Sequence, residues 1–325
     1  MSFQRETRQS IQELPKPLEQ LSFEELERKR RIAAVTTRVL GYLTGKFTSL
    51  GFAWSLPVIF SKSTDPLWPD PGASIEKRIE VELYDEKVRT TLSMIIHKLV
   101  ACSLLYPKLF ILSPNVRVEK RERKSTGWHI YEFTQLDFEV RLASSSDIMQ
   151  LCEAVIRGMV EDLNVNCSET LDSLRNERLK VRTTAFDSFD REELVGKYGE
   201  EWESRLPLEI HDPVWVTNIP REFYDSQDLQ TQKWDNYDLY LPRYGEVLSG
   251  SKREWEYEKI VAKMQRDGVA KENFALLLRL AREQRLKPSA GAGIGVERLL
   301  SWIVGARHIG EVQPFPKIPG MVCEL

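Results

Sequence analysis

The chain has 325 residues, 42% hydrophobic and 29% charged, with 17 Gly and 16 Pro. This is an ordinary globular balance, outside the disordered, collagen-like and coiled-coil classes, with room for two domains or one large one. A formal net charge of -3 excludes a whole-molecule basic field that would draw the chain onto nucleic acid or an anionic membrane.

Met1 to Leu26 is polar, with no apolar signal core, and no run approaches the length of a membrane span, so a cytoplasmic protein without a membrane partner is expected. The four cysteines form no CxxC pair and the four histidines no HExxH, which fits incidental thiols in a reducing compartment rather than a zinc site or a disulfide frame.

In chain order, residues 1–30 read as a loose arm, and residues 31–325 as one domain. From Ile32 the apolar residues Val35, Val39, Leu43, Phe47 and Leu50 recur at steps of three or four up to Gly51, which predicts an amphipathic helix. Phe52, Trp54, Leu56, Val58 and Phe60 then alternate, which predicts a long strand, with Pro57 marking an edge or interface. Ser61 to Gly72 holds three prolines and reads as a loop. In the segment Ser113 to Glu119, Asn115, Arg117 and Glu119 share one strand face, while Gln135, Asp137, Glu139 and Arg141 share a face of Phe133 to Leu142. A charged loop ending at Gly127 joins the two segments, so an antiparallel hairpin with neighbouring polar faces is expected.

A helix is predicted from Ser146 to Leu163, and residues 164–213 read as a polar insertion. Strands follow at Val214 to Ile219, Tyr237 to Leu241 and Gly245 to Gly250, then helices from about Glu254 and over Glu272 to Arg285, and a Gly-rich strand entering a last helix at Val296. This order predicts an α+β fold with a mainly antiparallel sheet of six or seven strands flanked by helices.

The run Gly291-Ala-Gly293-Ile-Gly295-Val-Glu-Arg298 is not a dinucleotide fingerprint, because no apolar strand precedes it and the next acid, Glu311, comes 13 residues after Arg298. Two readings stay open for it: a strand bared so that a flat ligand can lie on its backbone with Arg298 aimed at the ligand, or tight strand–helix packing with Arg298 in solvent. The hairpin could hold a nucleotide, with Arg117 on a phosphate, Glu119 on an exocyclic amine and Phe133 stacked on a base, or could be an ordinary charged surface. Asp238 and Glu246 could hold Mg²⁺ against phosphates, or could be solvated acids.

Taken together, these segments resemble the catalytic core of class II aminoacyl-tRNA synthetases of the aspartyl/asparaginyl branch and, within it, the archaeal asparagine synthetases related to asparaginyl-tRNA synthetase. The helix and strand to Phe60 match motif 1. Val116 to Glu119 with His129 and Glu132 to Asp137 match motif 2, and Gly291 to Arg298 matches motif 3. Runs such as Thr64 to Pro71, Asn218 to Asp225 and Gln313 to Pro316 carry the likeness further. The synthetases place an anticodon-binding barrel before motif 1, where this sequence has about thirty residues.

The resemblance implies a class II antiparallel sheet, a homodimer through motif 1 and ATP as a substrate. Arg117 would meet the α-phosphate, Glu119 and Phe133 the adenine, and His129 with Arg298 the γ-phosphate, Arg117 and Arg298 carrying the catalysis. Asp238 and Glu246 would hold Mg²⁺, Glu246 also facing ATP, with Ser249 beside the substrate. Their spacing is one residue longer than in the aspartyl enzymes. Lys98 and Arg253 would hold the substrate's side-chain carboxylate, and Gln135 and Asp137 its α-amino group. Ile95 stands where the synthetases carry Gln, and Trp128 where they carry Arg. The implied reaction is amidation of L-aspartate by ammonia through β-aspartyl-AMP, with no tRNA partner. The rivals are an amide ligase using another small amine, a synthetase paralogue charging an RNA or carrier, and a noncatalytic sensor.

Overall fold

The computed structural model describes residues 14–66, 75–175, 177–322 and 324; most of the predicted arm's first half, part of the proline-rich loop and Cys323 lie outside them. Helix α1 (Phe23–Ser49) starts nine residues before Ile32, because Ser22 and Glu25 form a capping box. The Ser22 hydroxyl accepts from the Glu25 amide at 3.2 Å and the Ser22 amide donates to the Glu25 carboxylate at 2.7 Å, satisfying two otherwise orphaned donors. Its predicted apolar face is buried, apart from Leu50 just beyond its end.

The expected long strand is instead two dipeptides, β1 (Ala53–Trp54) and β2 (Phe60–Ser61). Ser55 still donates to Phe110, but Pro57 offers no N–H to continue the ladder, and Thr91 Oγ1 instead donates to the Val58 and Ile59 carbonyls at 2.6 and 2.9 Å. Next come β3 (Ile75–Lys77), β4 (Glu80–Leu83), β5 (Glu86–Thr90), α2 (Ile95–Leu104), β6 (Lys108–Val116), β7 (Val118–Glu119), β8 (Glu132–Arg141) and α3 (Ser145–Asn166). The segment expected to be a polar insertion forms α4 (Ser168–Leu174), β9 (Asp187–Asp190), α5 (Arg191–Tyr198) and α6 (Trp202–Glu209), and sends Leu171, Leu174, Leu179 and Phe186 into the main core. The chain continues through β10 (Val214–Thr217), β11 (Asn236–Leu241), β12 (Gly245–Lys252), α7 (Tyr257–Arg266), α8 (Ala275–Arg282), β13 (Ser289–Gly295) and α9 (Val296–Val304).

The main sheet has eight strands in the order β1-β6-β8-β13-β12-β11-β10-β9. Its interior pairs are antiparallel, while the two outermost pairs, β1 with β6 and β9 with β10, are parallel. Of the two edge strands, β1 is what remains of the expected long strand and β9 lies in the segment read as a polar insertion. One face packs on α1, α3 and α9, where Phe47 meets Phe138 at a ring-centroid distance of 5.0 Å. A second core joins α2, α7 and α8 through Leu99, Phe223, Ile260 and Leu277. Alternation along the strands therefore sends the polar residues of β8, β11 and β12 to the opposite face.

Leu43 is fully buried in the α1 face. Leu43→Ala is expected to cost about 2–5 kcal/mol of unfolding free energy, read from the urea midpoint.

Candidate active site

Register places four residues in one row across adjacent strands. Asp137 on β8 is opposite Gly293 on β13, Gly293 is opposite Ser249 on β12, and Ser249 is opposite Asp238 on β11. Directly opposed residues share a face, so the row lines a trough about 14 Å long at the usual strand spacing.

At one end, Asp137 is buried and its Oδ1 accepts from Lys98 Nζ at 3.0 Å, while Oδ2 has no partner. Lys98, carried on α2, also donates to the Ala292 carbonyl at 3.0 Å and lies 3.9 Å from Glu139. Arg253 reaches Glu139 at 3.3 Å, the Gly291 carbonyl at 3.1 Å and Asp225. Lys98 and Arg253, the residues expected to meet a substrate carboxylate, are thus not bare: Glu139 sits between them, and Asp137 and Asp225 flank them. Burying bare cations would cost several kcal/mol each, and the fold supplies acids instead. Asn115 closes this end by donating to Gln135 Oε1 at 2.8 Å.

The glycines of β13 serve these acids. A Cβ at Gly291 would lie 2.2 Å from the Phe138 carbonyl oxygen and 2.4 Å from Glu139 Oε2, and one at Gly293 would lie 2.9 Å from Asp137 Oδ1. Room for Glu139 and Asp137 was in neither of the two readings of this run.

At the other end, Asp238 Oδ2 pairs with Arg221 and Oδ1 has no partner. Burial pushes the Asp238 carboxyl up to about 7, Arg221 opposing and Glu246 reinforcing the shift. Glu246 pairs with Tyr240 because the register shifts between Leu239 and Tyr240. That β-bulge takes up the extra residue between Asp238 and Glu246, and it turns Glu246 to the Asp238 face, since a one-residue slip reverses a side chain's face. Among the described residues no group of three or more His, Cys, Asp or Glu is placed to hold a metal. Two hard carboxylates, one with an open oxygen, suit Mg²⁺ completed by phosphate oxygens and water.

The hairpin and the short strand β7 between its arms carry the residues expected to meet a nucleotide. The Arg117 guanidinium lies 5.1 Å from the Phe133 ring centroid, and its Nε donates to the Leu92 carbonyl at 3.1 Å. Glu119 is buried and paired with Arg123 at 3.0 Å. Burial pushes the Glu119 carboxyl up, while Arg123, Arg117 and Arg298 pull it down. Arg298 is half-buried, donating to the Glu246 carbonyl and, at 3.3 Å, to that of Trp128. His129 Nδ1 lies 2.6 Å from Thr126 Oγ1. Beside Arg298, the Glu297 carboxylate accepts twice from the Thr134 amide at 3.0 Å, fixing where α9 begins against β8. A cavity of about 1630 Å³ lies elsewhere, near Arg28, Arg178 and Arg307, and approaches this site at Trp128; the convergence of charged groups favours the trough as the seat of chemistry.

Residues 77–319 match the family described as class II tRNA synthetases (D, K and N). The chain belongs to this family. It is 29% identical over 248 residues to an asparagine–tRNA ligase of Mycoplasma mobile, covering 67% of this chain and 55% of that protein, so it spans about half the relative's length. Asparaginyl-tRNA synthetase of Pyrococcus horikoshii complexed with asparaginyl-adenylate aligns with a TM-score of 0.81 at 23% identity, over 95% of this chain and 75% of that one. The Entamoeba histolytica enzyme, also with asparaginyl-adenylate, aligns at 0.80 and 19% identity, over 91% and 69%. These likenesses show the class II fold.

Sequence reasoning gave no role to Glu139, Arg221, Glu222 or Asp225. Glu139 shares the strand period of Gln135 and Asp137, which was its available signal; the others sit in a loop without a period.

Gly291→Ala is expected to destabilise the protein by about 1–3 kcal/mol in urea, as overpacking does. Gly295→Ala, whose Cβ would meet nothing nearer than 3.6 Å, should cost less.

Proposed function

We propose that the protein is an AMP-forming ligase that activates L-aspartate with ATP and passes the activated side chain to ammonia. The observation that carries this reading is the two-ended trough: buried Lys98 and Arg253 with the unpartnered Asp137 oxygen at one end, and Arg117, Arg298 and the Asp238–Glu246 pair towards the phosphates. An amino acid's ammonium suits the open Asp137 oxygen and Gln135, and its side-chain carboxylate suits the neighbourhood of the two cations. A side-chain oxygen attacks the α-phosphorus, pyrophosphate leaves, and ammonia then displaces AMP to give asparagine. Arg117 and Arg298 stabilise charge growing on the phosphates, and no nucleophilic side chain is needed. Asp238 and Glu246 would hold Mg²⁺, which supplies charge neutralisation when bound.

The relatives' names favour a second reading, transfer of the activated amino acid to RNA. Acid-precipitable labelled aspartate or asparagine on added tRNA would favour that reading, and free asparagine by mass spectrometry would favour amidation. Another small amine as acceptor gives a product of different mass. Among the described residues no helix is long and apolar enough to cross a membrane.

AMP and pyrophosphate, with no ADP, are expected on an anion-exchange trace. Arg298→Ala should lower the rate about 10²-fold or more, as loss of one preorganised donor does elsewhere; a near-unchanged rate would leave Arg298 only its contacts with the Glu246 and Trp128 carbonyls.

From β1 through the following segment to β2, Trp54 (56%), Leu56 (85%), Ile59 (54%) and Phe60 (43%) are exposed. An apolar edge of this kind suits a two-fold partner. Light scattering at micromolar concentration should give twice the chain mass, and a monomer would contradict the dimer.

A further inference from the structure

Ser113 and Asn115 lie on β6 with no exposed surface, and neither addresses a substrate in the reading above. Register sets Ser113 opposite Gln135 and Asn115 opposite Phe133 on β8, so the four side chains share one face. Asn115 Nδ2 donates to the Ser113 carbonyl at 3.3 Å and to Gln135 Oε1 at 2.8 Å, and Asn115 Oδ1 accepts from the Ser113 hydroxyl at 3.2 Å.

These contacts have only one polarity. A backbone carbonyl can only accept, so the end of Asn115 that meets it is the nitrogen. The second hydrogen on that nitrogen then needs an oxygen, and Gln135 presents Oε1 to it. Turning the Gln135 amide over would set two donors head to head and leave both unsatisfied. Gln135 Nε2 is therefore held over Gly293: a Cβ there would lie 3.1 Å from Nε2 and 2.9 Å from Asp137 Oδ1. Among the described residues Nε2 meets no acceptor, and Asp137 Oδ2 is likewise without a partner. A donor and an acid thus reach over the same bare glycine of the trough.

Position along β8 says what the donor meets. Phe133, Gln135 and Asp137 share a face, at about 7 Å per two residues. Phe133 lies 5.1 Å from the Arg117 guanidinium, on the side where a nucleotide is expected, and Asp137 suits the ammonium. Between them falls the carboxylate that joins the α-phosphate.

We propose that Asn115 is a positioning residue, which holds the Gln135 amide so that its N–H donates to the reacting carboxylate of the amino acid. This rests on the activation step of the reading above and narrows it: the ammonium is left to Asp137, since an amide N–H cannot accept from it. One carboxylate oxygen stays on Gln135 Nε2 and the other forms the bond to the α-phosphorus, while the P–O bond breaks with its electron pair leaving on pyrophosphate. No proton moves in this step. A neutral, fixed donor therefore orients the nucleophile without protonating it.

The test is amino-acid-dependent ATP–pyrophosphate exchange in Gln135→Glu, Gln135→Leu, Asn115→Leu and the double variant of the two leucine changes. Gln135→Glu keeps the size but replaces the donor by an acceptor, so exchange should fall at least as far as in Gln135→Leu, by about 10–10²-fold, the worth of one hydrogen bond to a charged group. Asn115→Leu alone should cost about tenfold or less, because the amide still turns the right way part of the time. That loss should appear in the amino-acid KM and in kcat, with the KM for ATP unchanged. In the Gln135→Leu background the same change should cost nothing further, since residues that act through one another are not additive. Asn115→Ser, too short to reach Gln135, runs the same cycle if Asn115→Leu does not fold. Wild-type exchange in Gln135→Glu would make Gln135 an acceptor for the ammonium and overturn the donor. Additive losses, or a KM for ATP that rises with the rest, would overturn the positioning role. Wild-type protein that exchanges pyrophosphate with neither aspartate nor asparagine would instead overturn the activation reading, and this inference with it.

Discussion

Glu139 has no exposed surface, and it receives both Arg253 and, at longer range, Lys98. Much of the trough is arranged to make that burial tolerable. Ser289 adds a hydrogen bond to the same carboxylate at 2.8 Å, and Gly291 keeps the adjacent strand bare so that it fits. Asp137 and Asp225 complete the neutralisation of the two cations. A half-satisfied network would cost more than an apolar core in the same place. The pairs therefore do more to fix the positions of Lys98, Arg253 and Asp137 than to add stability.

From that end the sheet carries position to Asp238 and Glu246. The row from Asp137 to Asp238 crosses four strands by register alone, and the main core on the opposite face holds the register, because a slip would expose Phe138, Leu239 and Leu248. The bulge between Leu239 and Tyr240 is the one departure, and it brings Glu246 to the face of Asp238. Rigid strands thus support both ends of the trough, while the hairpin and the loop before β11 contribute Arg117, Glu119 and Arg221.

Much of the fold could be read from period. The apolar face of α1, the hairpin arms as far as Val116 and the entry of a Gly-rich strand into α9 appear where alternation or helical spacing placed them, but the first arm breaks at Arg117 and Val118–Glu119 turns away to pair with β3. The start of α1 lay in a capping box, Ser22 with Glu25, whose signal is two polar residues rather than a hydrophobic repeat. The long strand after Phe52 failed for a local reason, the missing donor at Pro57, which interrupts a ladder that side-chain alternation alone would continue. The segment 164–213 looked polar because its few apolar residues are spread over short elements; Leu171, Leu174, Leu179 and Phe186 find their common core only in three dimensions.

By itself the sequence determined the α+β class, the order of the three motifs and the identity of the chemical groups, since these follow from period, spacing and residue type. Only the tertiary structure decided how those groups are paired. Whether Lys98 and Arg253 stand free or share Glu139, whether Glu246 faces Asp238, and which acids gather beside Arg253 all depend on contacts between residues far apart in sequence, as between Arg253 and Glu139 at a separation of 114 or Lys98 and Ala292 at 194. A one-dimensional pattern reports which face a side chain takes on its own strand or helix. The charge balance of a buried site is set by what the other strands and helices bring to that face, and burial makes that balance decisive.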